Sequence, residues 1–142
     1  MTKIDFYTTD KSRLQIACKL VTKALSQKIN VTIFAPEVSV ARAMDRLLWT
    51  DQATAFVPHC FSTDRLAIET PVIIASNLDN SGPDELLLNL ADACPTAFGR
   101  YRRLIEIVST EDSNQDAARL RWRHYKERGY DVNHVNLKKA QS

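Results

Sequence analysis

The chain of 142 residues is 44% hydrophobic and 25% charged, which is typical of a globular protein with one domain. Its net charge of +2, from 19 basic and 17 acidic residues, is too small to indicate nucleic-acid binding by bulk electrostatics. The sequence opens without the apolar run of a signal peptide and contains no run of about twenty apolar residues, so we predict a cytoplasmic protein that does not bind membranes.

The first fifty residues alternate predicted strands and helices. Residues 4–7 form a short apolar and aromatic run that predicts a strand. Ser12 is a suitable N-cap for a first helix, and residues 31–35 are β-branched and aromatic, as in a buried strand. Pro36 then begins a second helix, with Trp49 at the edge of its apolar stripe. This alternation indicates a parallel sheet with crossover helices.

The middle of the chain adds further strands. Residues 71–75 and 104–108 are rich in apolar and β-branched residues, which predicts two strands. Residues 84–90 lie between these two segments and contain a short apolar run. The run fits either a buried strand or the start of a helix, and periodicity alone does not distinguish the two. We favour a strand here, followed by a short helix over residues 95–102.

A final helix is predicted from Ser113, a suitable N-cap, to Gly129, a suitable C′ residue. Apolar residues alternate after it. The sequence thus predicts an α/β fold with a mostly parallel sheet, in one three-layer domain over residues 1–142. The topology would resemble a nucleotide-binding fold without a phosphate-binding loop, and the last residues, about ten, would form a short strand or loose tail.

The sequence contains no recognisable catalytic or metal-binding pattern. Phosphate-binding loops need glycine, and Gly82, Gly99 and Gly129 do not follow the first or second predicted strand. The three cysteines and three histidines lack CxxC or HxxxH spacing, so His59 and Cys60 are interpreted as loop residues. We therefore predict no enzymatic activity, no metal and no cofactor. A nucleotide-dependent α/β enzyme remains an alternative that the sheet pattern alone supports.

Cations and aromatic residues are concentrated in residues 117–130. On a helical wheel, Ala117, Leu120 and Tyr125 face the core, while Arg119 and Trp122 share an exposed face at i,i+3 spacing. This helix is either a solvated basic helix or a peptide-binding surface, in which a guanidinium holds a carboxylate and an aromatic ring contacts an apolar side chain. A third possibility is direct contact with single-stranded nucleic acid through four cations. These are Arg121, Arg123, Lys126 and Arg128.

Several segments of the chain also match those of a known family in their order and spacing. They are IDFY at 4–7, LLW at 47–49, FVPH at 56–59, LLLNL at 86–90, IEIV at 105–108 and ARLRWRHYKERGYDV at 118–132. Together they resemble the chi subunits of bacterial DNA polymerase III holoenzyme. The resemblance runs nearly end to end and implies a non-catalytic accessory subunit of the clamp-loader complex.

The resemblance also implies the partners of the chain. They are the psi subunit, whose binding face no motif marks, and the acidic, Pro-Phe-ending tail of single-stranded-DNA-binding protein, so that DNA is contacted only indirectly. We expect a monomer or a 1:1 heterodimer with psi.

The same resemblance implies a tail-binding site of six residues. They are Trp49, Phe56, Val108, Arg119, Trp122 and Arg123. Arg119 would pair with the terminal carboxylate, and both tryptophans, with Phe56 and Val108, would form one apolar pocket for the terminal phenylalanine. Trp122 stands where some family members have tyrosine, and Gln115 where some have lysine.

Overall fold

The computed structural model describes residues 2–51, 58–64, 66–67, 70–78, 84–110 and 115–137. Within them, seven strands form one sheet in the order β3-β4-β2-β5-β6-β1-β7, and every described strand pairing is parallel. The strands are β1 (Lys3–Thr9), β2 (Val31–Phe34), β3 (His59–Phe61), β4 (Val72–Ala75), β5 (Leu86–Asn89), β6 (Arg103–Ser109) and β7 (Val132–Asn136). The helices are α1 (Arg13–Ser26), α2 (Val38–Thr50) and α3 (Gln115–Glu127). The predicted α/β fold with a parallel sheet is confirmed.

Helices α1 and α2 cover one face of the sheet. Ser12 caps α1 as predicted, because its hydroxyl accepts a hydrogen bond from the backbone N–H of Leu14 at 3.2 Å. The buried side chains of the two helices, such as Val21 and Leu48, join the strand residues Ile33 and Ile105 in one apolar cluster. This cluster is the core on that side of the sheet.

Helix α3 packs against the opposite face. A second apolar cluster joins Tyr125 of this helix to Phe6 of β1, Leu104 of β6 and Val132 of β7. Tyr125 faces the core as predicted, but the other buried residues of the helix are Ala118 and Arg121 instead of Ala117 and Leu120, so the predicted rotation of the helix is wrong. Leu120, predicted to face the core, is 64% exposed. The two sheet faces are therefore covered by different helices, so Trp49 of α2 and Trp122 of α3 lie on opposite sides of the sheet.

A glycine and a strand follow α3 in the described part of the C-terminal region. Gly129 follows α3 with a φ of +85°, a left-handed conformation that favours glycine after a helix. The alternating residues beyond it form β7, which extends the sheet beside β1. Ser113, the predicted N-cap of α3, lies outside the described residues.

Two local predictions need correction. The helix predicted over residues 95–102 is a single 3-10 turn at Phe98–Arg100. The predicted loop at His59 and Cys60 is the edge strand β3, which pairs with β4. A strand of three residues is too short to show alternation, so its sequence carries almost no periodic signal.

Candidate functional site

A surface groove of about 800 Å³ lies between α3 and the strands β6, β1 and β7. Its lining combines apolar, polar and cationic side chains from these elements. They are Phe6, Thr8, Val108, Gln115, Ala118, Arg119, Trp122, Arg123, Lys126 and His134. Among the described lining residues none is acidic and three are arginine or lysine, so the described part of the groove carries positive charge although the chain is nearly neutral.

The floor of the groove is apolar. The ring of Phe6, which is buried, meets the half-buried Trp122 edge to face with ring centroids 5.1 Å apart. Val108 of β6 and Ala118 of α3 lie beside them. An aromatic ring buried on one side and accessible on the other offers a flat apolar contact to a ligand. The floor therefore suits an apolar side chain.

Cations surround this floor. Arg119, Arg123 and Lys126 lie on α3, and the Lys126 ammonium is 5.6 Å from the Trp122 ring centroid. The Arg119 guanidinium donates to the Asp116 carboxylate at 3.2 Å, but both side chains are exposed. An exposed pair of this kind contributes little free energy, so a ligand carboxylate can replace Asp116 at low cost.

Two further polar residues lie at the β7 side of the groove. The Thr8 hydroxyl and the His134 Nε2 are 2.9 Å apart and join β1 to β7. Neither residue was singled out from the sequence, and Phe6 and Lys126 were not assigned to the tail-binding site either. Thr8 and His134 can line the groove together only because β1 and β7 are neighbours in the sheet, although more than a hundred residues separate these strands in the sequence.

A buried polar cluster lies beneath α3. The Glu106 carboxylate of β6 accepts hydrogen bonds from Arg121 Nε at 3.0 Å, from the Tyr125 hydroxyl at 2.6 Å and from Asn89 Nδ2 at 2.9 Å. Arg121 also donates to the backbone oxygen of Asp92 at 2.6 Å. We call Glu106, Arg121, Tyr125 and Asn89 the Glu106 cluster. It ties the helix that lines the groove to the sheet and to the segment after β5.

Protonation states in the cluster follow from this burial. Complete burial raises the pKa of Glu106, while the Arg121 charge and the hydrogen bonds from Tyr125, Asn89 and Arg121 oppose that change. Burial and the adjacent Glu106 carboxylate raise the pKa of Tyr125 well above its ordinary value. Tyr125 therefore stays protonated and acts as a hydrogen-bond donor.

The position of Arg121 corrects a second interpretation. The sequence placed Arg121 among the cations that could contact nucleic acid, but its side chain is only 5% exposed and is paired with Glu106. Its place on the buried side of α3 leaves Arg123, Lys126 and Arg128 as the exposed cations among the four proposed. This weakens the nucleic-acid interpretation, because fewer charges are available for phosphate contacts.

Cys94 is expected to be an unreactive thiol at neutral pH. Burial raises its pKa above the ordinary value of 9.0, although a hydrogen bond with Tyr125 opposes the change. Since the thiolate is the nucleophile, alkylation of Cys94 by iodoacetamide should be slow at pH 7 and should keep accelerating above pH 9. Peptide mapping by mass spectrometry gives this rate for Cys94 alone. A rate that reaches its plateau below pH 9 would contradict the expectation.

The structure brings together four of the six residues predicted for tail binding. Val108, Arg119, Trp122 and Arg123 all line the groove. Phe56 lies outside the described residues. Trp49 does not belong to this groove, because α2 and α3 pack on opposite faces of the sheet. The single pocket predicted to contain both tryptophans is therefore wrong.

Trp49 instead belongs to a separate surface near the other edge of the sheet. Its ring packs on the His59 ring with centroids 4.4 Å apart, and His59 Nε2 is 3.4 Å from the Asp45 carboxylate. His59 begins β3, whereas the groove lies over β7 at the opposite edge. Trp49 is 56% exposed, which is unusual for so large an apolar side chain.

The exposed face of α2 extends this surface. Its residues follow the i, i+4, i+8 and i+11 spacing of one helical stripe. They are Val38, Arg42, Arg46 and Trp49, which we call the α2 stripe. All four side chains are exposed, with Val38 at 62%. The chain thus presents two separate surfaces that combine a tryptophan with arginines, with Trp49 exposed on one and Trp122 half-buried on the other.

Other site types find no support in the part of the chain that the structure describes. No group of three or more His, Cys, Asp or Glu side chains is placed to hold a metal ion there. In the same residues, no helix is both long and apolar enough to cross a membrane.

The structure is that of an α/β protein whose described strands form one parallel sheet, with a groove beside α3 that has an apolar floor and cationic side chains around it. Residues 1–133 match the family described as DNA polymerase III chi subunit, HolC. The chain belongs to this family, whose name places it among the subunits of a replicative DNA polymerase.

Individual relatives agree with this assignment. The chain is 32% identical over 136 residues to DNA polymerase III subunit chi of Pseudomonas aeruginosa, covering 93% of this chain and 94% of the relative. It is 26% identical to the chi subunit of Haemophilus influenzae, covering 87% of this chain and 86% of the relative. The identity to the chi subunit of Escherichia coli is 25%, with 87% and 85% covered.

Proposed function

We propose that the chain is a non-catalytic accessory subunit of the DNA polymerase III clamp loader. In this role it links the psi subunit to the C-terminal tail of single-stranded-DNA-binding protein during replication. The observation that supports the proposal most strongly is the groove, which places Arg119 beside an apolar floor built on Trp122. This pairing suits a peptide that ends in an apolar residue with a free carboxylate.

The tail would bind by its terminal residue and its charge. The terminal carboxylate pairs with Arg119, and the terminal phenylalanine packs on Trp122 and Val108. Acidic residues further from the terminus lie near Arg123 and Lys126. The groove-lining residues that the structure describes include no carboxylate that would compete with them, which favours an acidic peptide over a basic one.

The second partner, psi, is assigned to the α2 stripe. A bridging subunit needs two surfaces that can be occupied together, and the α2 stripe lies on the other sheet face from the groove. Trp49 provides a large apolar contact, and tryptophan and arginine are the residues most often found at interface hot spots. The exposed arginines of the stripe favour an acidic or polar contact segment on psi.

Ternary-complex formation tests this assignment. Size-exclusion chromatography of the chain with psi and full-length single-stranded-DNA-binding protein should give one complex that contains all three. Trp122→Ala should lose only the single-stranded-DNA-binding protein, and Trp49→Ala should lose only psi. Loss of both partners in either folded variant would show that the two surfaces are not independent, and retention of both in Trp122→Ala would reject the groove.

The affinity for the tail should fall as salt concentration rises. The cations around the groove are exposed, and the screening length decreases from about 10 Å at 0.1 M salt to about 3 Å at 1 M. Fluorescence anisotropy of a labelled tail peptide measures this dependence. The Lys126→Ala variant should show a shallower slope than wild type, because it removes one of the screened contacts. An affinity that is independent of salt would contradict charge pairing with the tail.

A further inference from the structure

The contact between α3 and the sheet depends on polar groups to an unusual degree. Its buried residues are Ala118, Arg121 and Tyr125, so only one of them is a large ring and none is a large aliphatic side chain. Leu120, the only leucine of the helix, is exposed. The apolar packing of this helix consists mainly of two rings, Tyr125 and the half-buried Trp122, and the hydrogen bonds to Glu106 add a directional restraint on its rotation.

We infer that Glu106 is a positioning residue for the groove, which sets the rotation of α3 about its axis and thereby the placement of Trp122 and Arg119. Its effect on affinity rests on the proposed binding of an acidic tail, whereas its effect on helix position does not. Glu106 does not line the groove, so any influence on a ligand passes through the helix.

Two side chains one helical turn apart bind the same carboxylate. Arg121 Nε donates to Oε1, and the Tyr125 hydroxyl donates to Oε2. We call Arg121 and Tyr125 the anchors of α3. Because residues at i and i+4 are separated along the helix axis, two anchors held by one rigid strand restrain both the rotation of α3 and its sliding along that axis. Asn89 Nδ2 also donates to Oε2 and fixes the carboxylate itself. The restraint is thus connected to β5 and β6 of the central sheet.

The helical wheel places the anchors and the groove residues on adjoining arcs. With about 100° per residue, Arg121 and Tyr125 lie within about 40° of each other. Trp122, Lys126, Arg119 and Arg123 occupy the next arc, from about 100° to about 200°. Ala118, at about 60°, is the groove residue nearest the anchors, and Trp122, which follows Arg121 in the sequence, is the nearest one with a large side chain. A change at Glu106 is therefore transmitted first to the Trp122 ring.

A small rotation is enough to disturb the groove. A side-chain atom about 5 Å from the helix axis moves by about 2 Å when the helix turns by about 20°. The contact between Trp122 and Phe6, with centroids 5.1 Å apart, cannot survive such a movement unchanged. Binding sites lose affinity when their residues are displaced by about 1 Å, because directional contacts weaken steeply.

Two variants alter the anchors with little change in shape. Glu106→Gln removes the charge and places an amide N–H₂ against groups that all donate, so one hydrogen bond at least is lost. Tyr125→Phe removes a single hydroxyl but keeps the ring that packs on Phe98 at 5.0 Å. Val21→Ala is a matched control, since Val21 is fully buried in α1 on the other sheet face. It lowers stability without touching α3.

The position of α3 is measured first, without any ligand. In NMR spectra of the folded variants, Glu106→Gln should shift the Trp122 indole N–H resonance and weaken the nuclear Overhauser contacts between Trp122 and Phe6. Tyr125→Phe should do so to a smaller extent, and Val21→Ala should leave both unchanged. Wild-type Trp122 contacts in Glu106→Gln would overturn the positioning role whatever the peptide results are.

Peptide affinity is measured second, by calorimetry at a temperature where every variant is folded. The probe is a synthetic acidic peptide that ends in Pro-Phe. Glu106→Gln should bind it about tenfold more weakly than wild type, while Val21→Ala binds normally. Normal binding by Glu106→Gln would overturn the effect on the groove. If wild type itself does not bind the peptide, the proposed function fails, and the NMR comparison still decides whether Glu106 positions the helix.

Discussion

Replacement of Arg119 by alanine is expected to weaken the complex with the acidic tail peptide by about 30-fold, as measured by isothermal titration calorimetry. A hydrogen-bonded pair between a guanidinium and a carboxylate contributes about 2 kcal/mol, which corresponds to that factor. The variant should fold normally, because the wild-type side chain is exposed and its only described ion pair is with the exposed Asp116. The loss therefore reports binding alone.

Arg128→Ala is the matched control for this prediction. It removes the same charge just beyond the end of α3, outside the residues that line the groove. If the tail responded only to net charge, both variants would weaken binding equally. Equal affinities of Arg119→Ala and Arg128→Ala would therefore reject Arg119 as the carboxylate-binding residue, as would wild-type affinity in Arg119→Ala.

Replacement of Arg121 by alanine is expected to lower the free energy of unfolding by about 3–5 kcal/mol. Glu106 is 0% exposed, and removal of Arg121 leaves its carboxylate without the one cation that pairs with it among the described residues. The backbone oxygen of Asp92 loses its bond from Arg121 as well. Urea denaturation followed by circular dichroism measures this loss.

Arg123→Ala provides the comparison for stability. It removes an arginine from the exposed side of the same helix and should change the free energy of unfolding by no more than about 0.5 kcal/mol. A double replacement of Glu106 and Arg121 by methionine should be less destabilising than Arg121→Ala, because no unpaired charge stays buried. Equal stability of Arg121→Ala and Arg123→Ala would show that the buried pair makes no contribution.

The architecture was predictable because its signals are local. The apolar runs at β2, β4 and β6 and the cap at Ser12 each depend on a few neighbouring residues, and each is confirmed. The three-residue strand β3 was missed because its sequence carries no period. The short helix predicted before β6 was wrong for a related reason, since a single turn has no amphipathic pattern.

The rotation of α3 was not predictable from its own sequence. A wheel based on hydrophobicity turns Leu120 inward, whereas the structure turns Arg121 inward and exposes Leu120. The cause is Glu106, which lies 15 residues earlier on another element and is itself buried between apolar neighbours in β6. The signal in the sequence was the glutamate within the run IEIV, since a carboxylate buried in a strand needs a cationic or hydrogen-bonding partner from another element.

The separation of the two tryptophans also depends on tertiary structure. Both Trp49 and Trp122 lie at the edge of an apolar stripe. The sequence of a helix alone does not determine which face of the sheet that helix covers. The face is set by the direction in which the chain crosses over after β2 and after β6, which the strand order determines. Trp49 is exposed and Trp122 is half-buried, and the family resemblance placed them wrongly in one pocket.

The most direct test of the groove as the tail-binding site is chemical-shift mapping of the isotope-labelled chain during titration with the acidic peptide ending in Pro-Phe. We predict saturable changes at Thr8, Val108, Arg119, Trp122 and His134, with the resonances of Trp49 and His59 unchanged. Changes centred on Trp49 and the α2 stripe, or no saturable change at all, would contradict the account.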